Sequence, residues 1–177
     1  HPVDRRQRQM CIRDREKIHA LLKPDGLMLC SMFGSETLRE LRSCLLAAEE
    51  QFKEKVYPRI HPFTDIRTAG DILQSSGFKL CVADDTTIKV PTKDVYQLVK
   101  LIRSMGENNY LNIDKPNISR SIWNKTSELM KDFTPTEDGV MSTFQILTLT
   151  GWKYHADQPK PLKPGSAKIS LADFFDK

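Results

Sequence analysis

Few side chains in this sequence are of the kind that attack, exchange protons or hold a metal, and those few are scattered. The cysteines, Cys11, Cys30, Cys44 and Cys81, show no CxxC and no Cys/His ligand spacing. Cys30 and Cys81 lie in apolar runs, where a reduced, buried thiol is expected, as in a reducing compartment. His19 falls on the polar side of a short helical pattern and His61 stands among prolines, so metal binding is not expected. Tyr154 and His155 follow a strand-like run. A phenol or imidazole there could orient a carboxyl group or take a proton; a half-buried sheet border is the structural alternative. Arg103, with Gly106 at the end of a helical stretch, could grip a carboxylate in bidentate fashion or complement the negative end of its own helix. Phe33 and Gly34 complete the set.

Those last two residues close the stretch around which the chain is organised, Lys-Pro-Asp-Gly-Leu-Met-Leu-Cys-Ser-Met-Phe-Gly over residues 23–34. Pro24 lacks a donor and Gly26 tolerates positive φ, so the helix of residues 16–22 stops and the chain reverses. The uncharged run from Leu27 to Phe33 reads as a strand covered on both faces, as in a parallel sheet; a buried helix fragment is the competitor. Ser35 is placed to cap an amphipathic helix running to Phe52, with Leu38, Leu41, Leu45 and Ala48 inward. Thr64 is placed to cap a third helix that ends at Gly77. Phe78 to Val90 alternates as a strand, with Phe78, Leu80 and Val82 on one side. Thr92 is placed to cap a fourth helix, burying Val95, Leu98, Val99, Ile102 and Met105 before Gly106 stops it. A fifth helix, Ser119 to Phe133, turns Trp123, Met130 and Phe133 to one face, and a last strand spans Thr143 to Lys153.

This order is that of the second half of a doubly wound α/β sheet with helical pairs inserted between strands. Ligands in such sheets sit at the carboxyl ends of the strands, which puts Phe33 and Gly34 on a crevice floor. Gly34 would allow close approach and Phe33 would wall the ligand; a tight strand-to-helix glycine beside a core phenylalanine is the alternative.

The chain has 177 residues, 39% hydrophobic and 28% charged, as expected for one globular domain or a large part of one. Its net charge of +4 is misleading, because residues 1–15 hold five arginines against two aspartates and the remainder is near neutral. No basic face for nucleic acid is evident, and nothing approaches the apolar length of a membrane span. Met10 to Arg15 is similar to translated adapter sequence, so residues 1–15 are expected to be non-native or a disordered basic arm. Residues 16–155 then form the domain and residues 156–177 an extended, proline- and lysine-rich tail.

A family resemblance rests on several motifs in order. They are the KPDG-strand opening, Ser31 to Arg42, His61 to Asp65, Arg103 to Asn109, Thr143 to Ile146, and Gly-Trp-Lys-Tyr-His over residues 151–155. Together they resemble the C-terminal part of class I S-adenosylmethionine-dependent methyltransferases. The similar branch holds the biotin-pathway malonyl-carrier-protein methyltransferases and the methyltransferase-like assembly factor of respiratory complex I. The resemblance implies a Rossmann-like sheet whose inserted helices form a lid. It implies a protein or carrier-protein-bound acceptor, a complex I subunit among the candidates, with Phe33, Gly34, Arg103, Gly106 and Tyr154 at the acceptor; Arg103 could then meet an acyl-phosphopantetheine group. It further implies a bacterial cytoplasmic or mitochondrial setting. Methyl transfer by the parent to a carboxyl or protein side-chain acceptor is the first reading it implies, with arginine hydroxylation and a non-catalytic assembly role as the alternatives. S-adenosylmethionine is implied for the parent, but the glycine loop and acidic partner that hold it have no counterpart here, so this chain alone is not expected to bind it.

Overall fold

The middle of the sheet belongs to the strand richest in buried polar residues, not to the apolar run that dominates the sequence. The structure is a computed structural model that describes residues 14–52, 55–107, 116–137, 139–160 and 166. In chain order the elements are helix α1 (residues 14–21), strand β1 (Leu27–Phe33), helices α2 (Arg39–Phe52) and α3 (Ile66–Ser75), strand β2 (Lys79–Thr92), helices α4 (Val95–Ser104) and α5 (Arg120–Phe133), and strands β3 (Pro135–Thr136) and β4 (Gly139–Trp152). The expected order of helices and strands is thus found, with the short β3 added as a hairpin onto the start of β4.

The sheet order is β1-β4-β2, and β4 runs antiparallel to both neighbours, so β1 and β2 are parallel to each other across it. Leu27 pairs with Trp152 and Phe33 with Ile146, while β2 follows β4 from Trp152 down to Val140. Helices pack on both faces. On one, α3 covers Met28, Leu147, Leu149 and Phe78. On the other, α2, α4 and α5 gather over Phe33, Val90, Val140 and Phe144, all toward the carboxyl ends of β1 and β2. Each fully buried Leu of these clusters contributes about 1.5–3 kcal/mol relative to exposure.

That helical layer stops short. Leu29 is 66% exposed, Val82 54% and Leu27 49%, on the same face of the sheet in register with Thr150 and Trp152. The expectation that β1 is covered on both faces is therefore corrected: among the described residues it is an edge strand with one bare face. An uncharged run of seven residues does not distinguish the two environments, because neither its edge nor its faces are encoded in its own composition.

Several boundaries also move. Residues 35–38 form a turn rather than the first turn of α2, and Leu38 has φ of 56°, so Ser35 is not a cap. Asp65, not Thr64, caps α3 by accepting from Thr68 N at 2.9 Å, and Asp94, not Thr92, caps α4 by accepting from Gln97 N at 2.7 Å. Ser119, read as the first residue of the fifth helix, is instead the cap of α5. In the KPDG turn the left-handed residue is Asp25, with φ of 61°. Gly26 is needed there for room, since a Cβ would stand 2.7 Å from the Lys23 carbonyl oxygen. Gly77 and Gly106 take positive φ at the ends of α3 and α4, as expected.

In β2 an extra residue lies between Lys79 and Val82, and Leu80 adopts φ of 49°. The bulge shifts the phase of the strand, so Phe78, Cys81 and Ala83 share the α3 face while Leu80 and Val82 turn to solvent. Phe133, at 64% exposure, and Met105, at 46%, also lie outside the core rather than on the inward faces assigned to them.

Candidate functional site

The carboxyl end of β1 leads into residues 34–40, and this short crossover does the work of a strand. β1 has ended, yet the main-chain groups of β4 beyond it are all satisfied. Gly34 N donates to Gln145 O at 2.8 Å, and the Thr37 hydroxyl donates to the same oxygen at 3.0 Å while accepting from Gln145 N at 3.1 Å. Leu38 N donates to Thr143 O at 2.7 Å, a direction its positive φ makes available. Thr143 N donates to Glu40 Oε2 at 3.0 Å, and the Thr143 hydroxyl donates to Glu40 Oε1. Buried main-chain groups left unpaired would cost about 1–3 kcal/mol each, so this side-chain ladder is what lets the crossover leave the sheet.

Gln145 sits at the centre of the arrangement. Its Oε1 accepts from Glu36 N at 3.1 Å, and its Nε2 donates to Asp85 Oδ2 on β2 at 3.0 Å. Gly34 is required beside it, because a Cβ there would lie 2.8 Å from Gln145 Cδ and 3.0 Å from Leu147 Cδ2. On its other side Gly34 bridges Thr64, just before α3. Burial alone would raise the Glu40 carboxyl, but the bonds from the Thr143 hydroxyl and amide outweigh it, with lesser help from its own amide and Arg39, and hold it below the ordinary value. Cys30, Cys44 and Cys81 are pushed up by burial, as suits inert thiols.

Of the residues singled out in the sequence, Phe33 and Gly34 meet at this crossover. Phe33 stacks edge-on to Phe63 at 5.9 Å and tilts against Phe144 at 6.0 Å, in the layer under α2, α4 and α5. Arg103 and Gly106 lie exposed at the end of α4, where Gly106 N donates to Arg103 O at 3.0 Å. Tyr154, 55% exposed, follows Trp152 and so lies beyond the start of β1. The six-residue register offset between the Leu27 and Phe33 pairs puts it at least about 20 Å of strand away from Gly34. An open groove of about 490 Å³ flanks the crossover from the α2 side, lined by Arg39, Glu40, Ser43, Lys89, Phe133 and Met141. Among the described residues no cluster suited to a metal ion is found, and no helix is long and apolar enough to cross a membrane.

Sequence reasoning passed over Thr37, Glu40, Thr143, Gln145 and Asp85, and also a second buried group. Glu49 on α2 is fully buried and meets Arg59 at 2.6 Å, while Arg59 donates to the Pro116 carbonyl at 2.7 Å. The only sequence signal for any of these was a glutamine inside an apolar strand pattern; both glutamates read as the solvated side of an amphipathic helix.

An α/β sheet with an antiparallel central strand inserted between two parallel ones, and helices inserted at both crossovers, is the C-terminal part of a Rossmann-like class I methyltransferase fold. No family model matches the chain. Individual proteins do. It is 35% identical over 159 residues to the human arginine-hydroxylase NDUFAF5, mitochondrial, covering 89% of this chain and 46% of that protein. The zebrafish (Danio rerio) protein of the same name is 37% identical over 158 residues, covering 89% and 49%. The malonyl-[acyl-carrier protein] O-methyltransferase of Xylella fastidiosa is 26% identical over 132 residues, covering 74% and 43%. The chain is similar to this methyltransferase-like branch and spans about half the length of the curated relatives it matches.

Proposed function

We propose that this chain is the acceptor-side part of a class I methyltransferase-like protein whose coenzyme pocket is formed by sequence outside it. The edge of β1, unpaired among the described residues and carrying the exposed Leu27 and Leu29, is the observation that carries the reading: it has the form of a sheet that continues. The methyl donor implied for the family, S-adenosylmethionine, does not fit the residues present. The sequence has no Gly-x-Gly, and the space beside Gly26, Gly34, Gly139 and Gly151 is filled by the chain itself. No chemical step is therefore assigned to that cofactor within this chain.

The acceptor is a protein side chain or a carrier-bound carboxyl group. Of the two reactions for which the relatives are named, arginine hydroxylation is favoured, because identity to those proteins is 35–37% over 155–159 residues against 26% over 132 residues for the Xylella methyltransferase. On this reading the partner is a subunit of respiratory complex I and the setting is mitochondrial or bacterial cytoplasmic. Phe33, Gly34, Arg103 and Gly106 line the acceptor side, whereas Tyr154, at the opposite end of the strands, has no part in it. The test is to recover the continuous coding sequence and incubate the full-length protein with either a complex I subunit or malonyl carrier protein, in one arm with labelled S-adenosylmethionine and in another with dioxygen and a two-electron reductant as well. Methyl label on either acceptor supports transfer, an arginine mass gain of one oxygen supports hydroxylation, and stoichiometric binding with neither product refutes an enzymatic role.

A further inference from the structure

Gln145 stands in a row whose neighbours on the same face are Leu147 and Leu149, and it is only 9% exposed. Packing alone would be served there by another aliphatic side chain, and a buried amide is tolerated only when both its ends are bonded. Both are. One end holds Glu36 N in the crossover, the other holds the Asp85 carboxylate on β2, and the main chain of the same residue takes Gly34 N and the Thr37 hydroxyl. A single residue thus ties the crossover and β4 to β2, where the Thr37 and Glu40 side chains join the crossover to β4 alone.

We propose that Gln145 is a positioning residue for the acceptor end of the site: it sets the Gly34–Glu36 turn against β2 and fixes the Asp85 carboxylate beside that turn. The inference rests on the acceptor-side reading given above. Its side chain touches no reacting group; it acts through Gly34, Glu36 and Asp85. Gly34 is the counterpart of this role, kept bare because the Gln145 amide occupies the volume of its missing Cβ.

A polarity swap tests this. Gln145→Glu alone sets one carboxylate against another. Gln145→Glu combined with Asp85→Asn restores the bond to β2 in reverse, and the new carboxylate still accepts from Glu36 N. Amide hydrogen exchange is read on this chain, and kcat and KM on the full-length protein. The single variant is expected to speed exchange of the Glu36 amide about tenfold, because repulsion from Asp85 draws the new carboxylate off Glu36 N at the cost of roughly one net hydrogen bond. The Gly34 amide, bonded to the Gln145 main chain, should stay within about twofold. In turnover, kcat should drop about tenfold or more with KM held within about threefold, because misplacement of a floor affects alignment more than uniform binding. The paired variant should return both readouts to within about threefold of wild type.

Unchanged Glu36 exchange in the single variant overturns the proposal, as does a pair that restores exchange but leaves kcat low. Should Gln145→Glu not fold, Asp85→Ala alone, at an exposed position, removes the acceptor of Gln145 Nε2 and is expected to speed Glu36 exchange with the melting temperature unchanged, and no change there overturns the proposal equally. A wild-type protein that turns over neither acceptor refutes the functional reading, and the exchange rescue then decides the placement role by itself.

Discussion

Breaking the Glu49–Arg59 pair should cost more than any other single polar change in this chain. Glu49 has no exposed surface; Arg59 Nε donates to its Oε1 at 2.8 Å, a second guanidinium nitrogen stands at 2.6 Å, and Tyr57 N donates to Oε2 at 3.0 Å. The guanidinium lies 5.3 Å from the centre of the Tyr57 ring and reaches across to Pro116 O. The pair therefore fastens the end of α2 to the loop before α3 and to the approach to α5. Arg59→Met strands a carboxylate out of water, and removal of one partner from a buried pair costs about 3–5 kcal/mol. For a chain of this size that is about 6–20 °C in melting temperature at roughly 2–4 °C per kcal/mol. Glu49→Gln should cost less, since the amide oxygen still accepts from Tyr57 N. The double change Glu49→Gln with Arg59→Met should fall well short of the sum of the two single losses, by about 0.5–3 kcal/mol, because it removes both charges at once. Urea unfolding of the four proteins with matched m-values is the assay. A loss below about 1 kcal/mol for Arg59→Met, or a double variant equal to the sum, would refute the reasoning.

Other outcomes follow from the crossover and the caps. Gly34→Ala forces a methyl group against Gln145 and Leu147 and should destabilise by about 1–3 kcal/mol in urea unfolding, with a shifted Glu36 amide resonance. Asp65→Ala and Asp94→Ala should each lose about 1 kcal/mol, while Thr64→Ala loses a few tenths at most, which separates true caps from their neighbours. The Glu40 carboxyl is held below its ordinary value of 4.5, so its contribution is full above that pH and fades as pH falls through the lowered value. The stability difference between wild type and Glu40→Gln, followed by urea midpoints, should therefore shrink below about pH 4.5 and be constant above about pH 6.

What could be read from the sequence was whatever depends on local spacing. The helices announced themselves through periodic apolar positions, and Gly77 and Gly106 through the chemistry of helix ends. The order of elements then gave the half-sheet. What could not be read depends on partners distant in the chain. Leu27 to Phe33 read as covered on both faces because it is apolar, but the centre of the sheet falls to β4, whose Thr143 and Gln145 find bonding partners in α2, its entry turn and β2. Glu40 and Glu49 looked solvated because their partners lie 103 and 10 residues away. The phase of β2 turned on one bulged residue, which reversed the faces of Leu80 and Val82 without any local mark in composition. Phe33 and Gly34 were placed correctly at the end of β1, whereas the glutamine that explains Gly34 lies in the last strand.

The acceptor-side account is tested most directly by titrating S-adenosylmethionine into this chain and into the full-length protein by calorimetry. The expected result is no saturable binding to the chain up to about 1 mM, with a micromolar Kd appearing once the rest of the sheet is joined to β1. Micromolar binding by the chain alone would contradict it, because a coenzyme pocket would then exist among residues that have no glycine cradle to form one.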